Sequence, residues 1–243
     1  MLCGEERSVG AGEGRGMSMN RPYLSTDELP RTLRLLPLAG ALLLPRGELP
    51  LNIFEPRYIA MVDSALASDR LVGMVQPGMR PCAEQPSQPL CEVGCAGRLT
   101  RLAETGDGRY LVTLCGVGRF RILAEIENDE PFRSAKVDFT PFARDLEAGA
   151  GEAAVDRLRM IEMLRSFASS SRLEVDWTSI DAAPTETLVN ALAMMSPFGA
   201  REKQSLLEAE DLKTRAEMLI ALAKFELAQT QGAMPADPSV RPH

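Results

Sequence analysis

The 243-residue chain has one histidine, His243, at its last position, and four lysines, Lys136, Lys203, Lys213 and Lys224. These scarcities exclude much familiar chemistry. A serine or cysteine nucleophile of the usual kind needs a histidine held beside it, and a terminal residue has nothing to hold it. An ATP-driven motor needs a glycine-rich loop whose lysine reaches the phosphates, G-x-x-x-x-G-K-[ST], and no Gly-Lys pair occurs in the sequence. A serine activated by a lysine finds one nearby pair, Ser134 and Lys136, in an expected strand, and that pair reads as a solvated strand end. Long apolar runs are also missing. The uncharged apolar stretch at residues 35–45 is broken by Pro37, Gly40 and Pro45 and has about half the ~20 residues of a membrane span. It reads as two short buried strands meeting at Ala39-Gly40. Residues 1–19 hold no apolar segment of export-signal length. With five cysteines, an odd number, the expectation is reduced thiols in the cytoplasm and no membrane association.

A metal site is not expected either. Cys91 and Cys95 have the most suggestive spacing, but in an extended segment their α-carbons lie roughly 13 Å apart. Two thiolates that far apart cannot share a zinc at ~2.3 Å. No cofactor is called for.

What is present is ordinary globular composition, 45% apolar and 25% charged, with a net charge of −7. After residue 142 stand 16 of the 34 acidic groups against 11 of the 27 basic ones. That acidic C-terminal part argues against broad binding to nucleic acid or anionic membranes. Residues 1–28 are expected to form a structureless tail, with Met17 and Met19 as alternative starts, and residues 231–243 another.

Between the tails the pattern changes once. Residues 29–143 carry short apolar runs separated by turn residues, which suits a β-barrel. Tyr110 to Leu114 and Val117 to Ile122, each following glycine, read as strands of a meander. In the second of these Phe120 and Ile122 face the core while Arg119 and Arg121 face the other way. Pro56 opens a helix through Ala67. Residues 144–230 are helical. Val155, Leu158, Ile161, Leu164 and Ala168 line one helix, Leu188, Leu192 and Met195 a second that Pro197 stops, and Leu212, Ala216, Leu219, Ile220, Ala223 and Leu227 a last one. The glycine-containing stretch 144–151 reads as the joint between the two parts.

Two groups of residues are candidates for binding. Arg98, Arg119 and Arg121, with Arg101 and Arg109, fall on neighbouring strands and suggest a basic face for RNA or a nucleotide, although Glu104 and Asp107 dilute it and no aromatic ladder accompanies it. Met194, Met195 and Phe198 lie at a helix end where Pro197 turns the chain, and flexible thioethers suit surfaces that accept varied apolar partners.

Three stretches carry a family resemblance. They are Leu35-Leu36-Pro37-Leu38 through Leu49-Pro50-Leu51-Asn52-Ile53-Phe54-Glu55-Pro56-Arg57-Tyr58 to Arg70-Leu71-Val72-Gly73-Met74; Gly94-Cys95-Ala96-Gly97-Arg98-Leu99 with Asp107-Gly108-Arg109-Tyr110 and Gly116-Val117-Gly118-Arg119-Phe120-Arg121; and Leu188-Val189-Asn190-Ala191-Leu192-Ala193-Met194 with Glu202-Lys203-Gln204-Ser205-Leu206-Leu207-Glu208. In this order they resemble the N-terminal, substrate-recognition domain of Lon proteases, here as a stand-alone copy. The resemblance implies an α+β fold, a bent barrel of the PUA-like kind followed by a helical bundle. It also implies a non-catalytic module that grips unfolded or apolar polypeptide, as an adaptor or holdase, with a Lon protease as a further partner. RNA or nucleotide binding through the arginine face is the alternative.

Overall fold

The computed structural model describes residues 20–78, 88–171 and 176–232. The first strand, β1 (Thr32–Pro37), alternates Leu33 and Leu35 inward. A tight turn at Arg46-Gly47 leads into β2 (Glu48–Ile53). Helix α1 (Pro56–Leu66) opens on its proline and buries Met61, Val62 and Ala65. Then follow β3 (Leu71–Val75), buried throughout, β4 (Val93–Glu104), β5 (Tyr110–Ile126) and β6 (Ser134–Asp138).

The strand order is β2-β5-β4-β3-β1-β6, and β6 returns to pair with β5. Five strands therefore close into a barrel. At 17 residues β5 is long enough to serve two neighbours on one edge, β2 along its first half and β6 along its last. β2 lies outside the closed ring and, among the described residues, has one paired edge, and Pro50 at its middle has no N–H to offer on either side. Inside the barrel Phe120 packs edge-on to Phe139, ring centres 6.0 Å apart, among Leu33, Leu35, Leu71 and Val137.

The rest is helical: α2 (Arg157–Ser171), α3 (Trp177–Ala182), α4 (Thr185–Met195), α5 (Ala200–Glu208) and α6 (Leu212–Gly232). Asp176 and Asp211 cap α3 and α6 by accepting backbone N–H groups. One core joins both parts, because Leu42, Leu43, Leu44, Leu99 and Leu114 pack with Ala193, Phe198, Leu206, Leu207 and Leu219. A separate cluster of Met160, Val189, Leu212, Ala216 and Ile220 holds the helices together.

The structure corrects four expectations. Residues 35–45 hold the end of one strand, β1, and not two strands: Leu42, Leu43 and Leu44 are fully buried but irregular, packed in the core shared by barrel and helices. Tyr110 to Leu114 and Val117 to Ile122 are one continuous strand. Gly116 does not break it; its missing side chain makes room for the Leu44 carbonyl, from which a Cβ would lie 2.0 Å. Leu158 is 76% exposed, and α2 buries Met160, Ile161, Met163 and Leu164 instead. Residues 20–28, expected to lack structure, lie against the barrel: Ser25 caps a short 3-10 turn, Thr26–Glu28, and the Tyr23 ring packs under Arg98. Residues 1–19 and 233–243, the remainder of the expected tails, fall outside the described residues, as do Cys3 and Cys82.

Candidate functional site

The arginines expected to form one basic face are dispersed. Arg119 is 4% exposed. Its backbone N–H and Nε donate to Asp145 Oδ2, both at 2.9 Å, and its Nη2 to Oδ1 at 2.8 Å. Its Nη1 donates to the Leu207 and Ala209 carbonyls that end α5, and the guanidinium lies 4.6 Å from the Phe142 ring centre. Arg98, 8% exposed, donates to the Arg21 carbonyl at 2.7 Å and stacks on Tyr23. Arg121 is exposed and stands opposite Asp138 across the strand pair. Arg109 pairs with Asp107 at the hairpin tip. The alternation placed Phe120 in the barrel correctly, but the opposite face, where Arg119 points, is covered by the 3-10 segment Thr140–Leu146 and by α5.

Beside Arg119 lies a cavity of about 170 Å³, where Arg46, Asp145, Glu186 and Arg215 meet. Arg46 holds the left-handed region, φ 62°, a conformation that side chains rarely adopt. From there its guanidinium forks onto Glu186 and also donates to the Asp145 carbonyl at 2.7 Å. Arg215 donates to the Leu206 carbonyl and to Asn190 Oδ1. Burial, reinforced by the Arg119 cation, pulls its pKa down to about 10. Asp145 and Glu186 are both engaged by guanidinium groups, and the arrangement fastens barrel to helices.

The methionine cluster also separates. Met195 is 81% exposed, whereas Phe198 is 8% exposed and belongs to the shared core. Met194 is half-buried against Gly47, and its carbonyl accepts from Lys203 Nζ at 3.3 Å. Pro197 thus leaves one side chain outward, not three. Buried Cys95 carries a thiol whose pKa burial pushes far up, with Asp145 adding to the effect. Among the described residues no group of three or more His, Cys, Asp or Glu side chains is placed to hold a metal, and no helix is long and apolar enough to cross a membrane.

A surface that the sequence reading did not single out lies across β2, β5 and β4. An open groove of about 500 Å³ is lined by Pro50, Leu51 and Asn52, Leu111, Val112 and Thr113, and Arg101, Leu102 and Ala103. In register, Pro50, Thr113 and Arg101 form one outward row and Asn52, Leu111 and Ala103 the next, with the Leu51, Val112 and Leu102 backbone between them. Leu111 is 48% exposed while its neighbour Val112 is buried. The signal was in the sequence: residues 110–112 are apolar on both parities, which a strand with one wet face does not need.

Fold and surface together define an α+β domain with an open apolar groove. The chain belongs to the family of ATP-dependent protease La (LON) substrate-binding domains, whose family model matches residues 32–224. Curated relatives include the Lon protease of Anaeromyxobacter dehalogenans, 24% identical over 229 residues, covering 90% of this chain and 26% of that protein. Lon protease 2 of Myxococcus xanthus is 25% identical over 227 residues, covering 91% and 27%. The chain thus spans about a quarter of the length of these relatives. Two solved structures share the fold. The Lon N-terminal domain protein from Xanthomonas campestris has a TM-score of 0.50 at 20% identity, covering 84% of this chain and 99% of that one. The N-terminal domain of Mycobacterium avium complex Lon protease has a TM-score of 0.55 at 18% identity, covering 79% and 98%.

Proposed function

We propose that this protein is a non-catalytic recognition module that binds exposed apolar segments of other polypeptides, as a holdase or as an adaptor to a Lon protease. The observation that carries the reading is the open apolar groove across β2, β5 and β4, in a chain whose family is described by substrate binding. Met195 offers a second apolar contact on the helical side. The rival reading, nucleic acid on an arginine face, has little support from a surface on which Arg98 and Arg119 are internal.

Small apolar contacts bury little area at ~25 cal/mol per Å², and ordering costs consume much of the gain. The expected dissociation constant is on the order of micromolar. The test is titration of a labelled, permanently unfolded protein at low and high salt, beside a short RNA. Binding of the unfolded protein that survives salt, and that weakens in Leu111→Asp or Met195→Asp, supports the proposal. Tighter, salt-sensitive binding of the RNA overturns it. Hydrolysis of ATP or degradation of casein that follows the purified protein through successive columns overturns the non-catalytic part.

A further inference from the structure

The groove has more character than apolarity. Of the nine residues lining it, Arg101 alone is charged. Arg101 is exposed and, among the described residues, forms no hydrogen bond or ion pair, unlike Arg109 nearby, which Asp107 occupies. An unsatisfied guanidinium at one end of an otherwise uncharged trough is complementary to a single carboxylate.

Sheet geometry sets the spacing. The two outward rows stand two residues apart along the strands, roughly 7 Å, so the trough runs across the strands. Three strands at ~4.8 Å separation span about 10 Å, the reach of three extended residues. Pro50 and Leu111, the apolar walls, belong to β2 and β5, while Arg101 belongs to β4. An aliphatic side chain seated between β2 and β5 therefore lies roughly 7 Å from a group above β4. In an extended peptide the side chains that share a face are two positions apart, about 6.6 Å. Strand addition on β2 is disfavoured, because Pro50 lacks the N–H that an added strand would use.

Building on the proposed function, we infer that the groove selects an internal, extended segment in which an aliphatic residue and an acidic residue are separated by one position. The acidic side chain pairs with Arg101, and the aliphatic one sits against Pro50 and Leu111. The attraction is between groups still in contact with water, so it is worth two- to fivefold in affinity, about the range of an exposed ion pair.

The experiment uses labelled peptides blocked at both ends, Ser-Gly-Ser-Leu-Ser-Asp-Ser-Gly and its counterpart with Lys for Asp, and the Asp peptide with its C-terminus left free, titrated against the full chain, Arg101→Glu, Arg101→Gln and the exposed-site control Leu158→Ser. All four substituted or native proteins are checked for unchanged melting temperature, as expected for exposed positions. The full chain and Leu158→Ser should prefer the Asp peptide two- to fivefold, Arg101→Gln should show no preference, and Arg101→Glu should prefer the Lys peptide. Equal binding of both peptides to the full chain overturns the inference while leaving polypeptide binding intact. An Asp preference that persists in Arg101→Glu places the cation elsewhere and overturns it too. A gain seen only when the peptide carries a free C-terminal carboxylate makes the occupant a chain end and overturns the internal segment. No binding of either peptide, together with no binding of the unfolded protein, overturns both this inference and the function it rests on.

Discussion

Arg119 and Cys95 show what burial does to single groups. The Arg119–Asp145 pair is nearly dry and fully hydrogen-bonded. Removing one partner leaves a buried charge alone, so Arg119→Met should cost about 3–5 kcal/mol, read by urea unfolding. Adding Asp145→Leu should recover much of that loss; no recovery would mean that the carbonyl bonds of Arg119, and not the ion pair, carry its contribution. Cys95 makes a pH prediction. Its folded pKa is raised by burial, so the folded state keeps a proton that the unfolded thiol releases above its usual value near 9. The associated stability is fully present below that value and is lost as pH rises above it. Half-buried Cys91 and Cys115 shift the same way. The melting temperature should fall between pH 8 and 10, and less steeply in Cys95→Ala; equal slopes would contradict the assignment. At this scale the sequence told which face a residue occupies, as for Phe120, but not what covers the other face. Asp145 lies 26 positions from Arg119, and no local period reports such a partner.

Elements were legible where their signals are local. Pro56 opens α1, the stripe from Leu212 to Ala223 belongs to α6, and the hairpin turn at residues 106–108 joins β4 to β5. They were illegible where a distant contact decides. Gly116 reads as a break between strands, yet it continues β5 because Leu44 crosses there. Gly116→Ala would set a Cβ on a backbone carbonyl that cannot move aside like a side chain. The expected loss is about 1–3 kcal/mol or more, measured as a lower urea midpoint, and the same exchange at Gly118, where a Cβ would meet the Asp145 and Leu146 side chains at an ordinary 3.7 Å, should cost less. If both substitutions prove equal, the crossing is not what demands glycine. The groove was missed for a related reason. Its walls come from three strands, and their register, not their composition, aligns Pro50 with Thr113 and Arg101.

Across the whole molecule, barrel and helices share one core through Leu42, Leu43, Leu44, Phe198 and Leu206, and Arg46 and Arg119 fasten them further. Heating should therefore give a single calorimetric transition, with equal calorimetric and van't Hoff enthalpies. Two resolved transitions would show that the parts melt independently. Strands give way to helices near residue 143, where the sequence pattern changes, and a change of element type does not by itself make a change of folding unit.

Pro50 bears on a hazard particular to a protein whose proposed work is to meet unfolded chains. An open strand edge is a template on which further strands, including those of its own copies, can grow into fibres. β2 has such an edge, bordered by the groove that is meant to attract apolar segments. Under the proposed function, a proline at its centre lets bound segments approach side chains while denying them, and sister molecules, a hydrogen-bonded foothold. Pro50→Val should leave the monomer folded yet raise light scattering and thioflavin fluorescence on prolonged incubation, above all when unfolded protein is present. A variant as clear in solution as the parent would show that the edge was never dangerous.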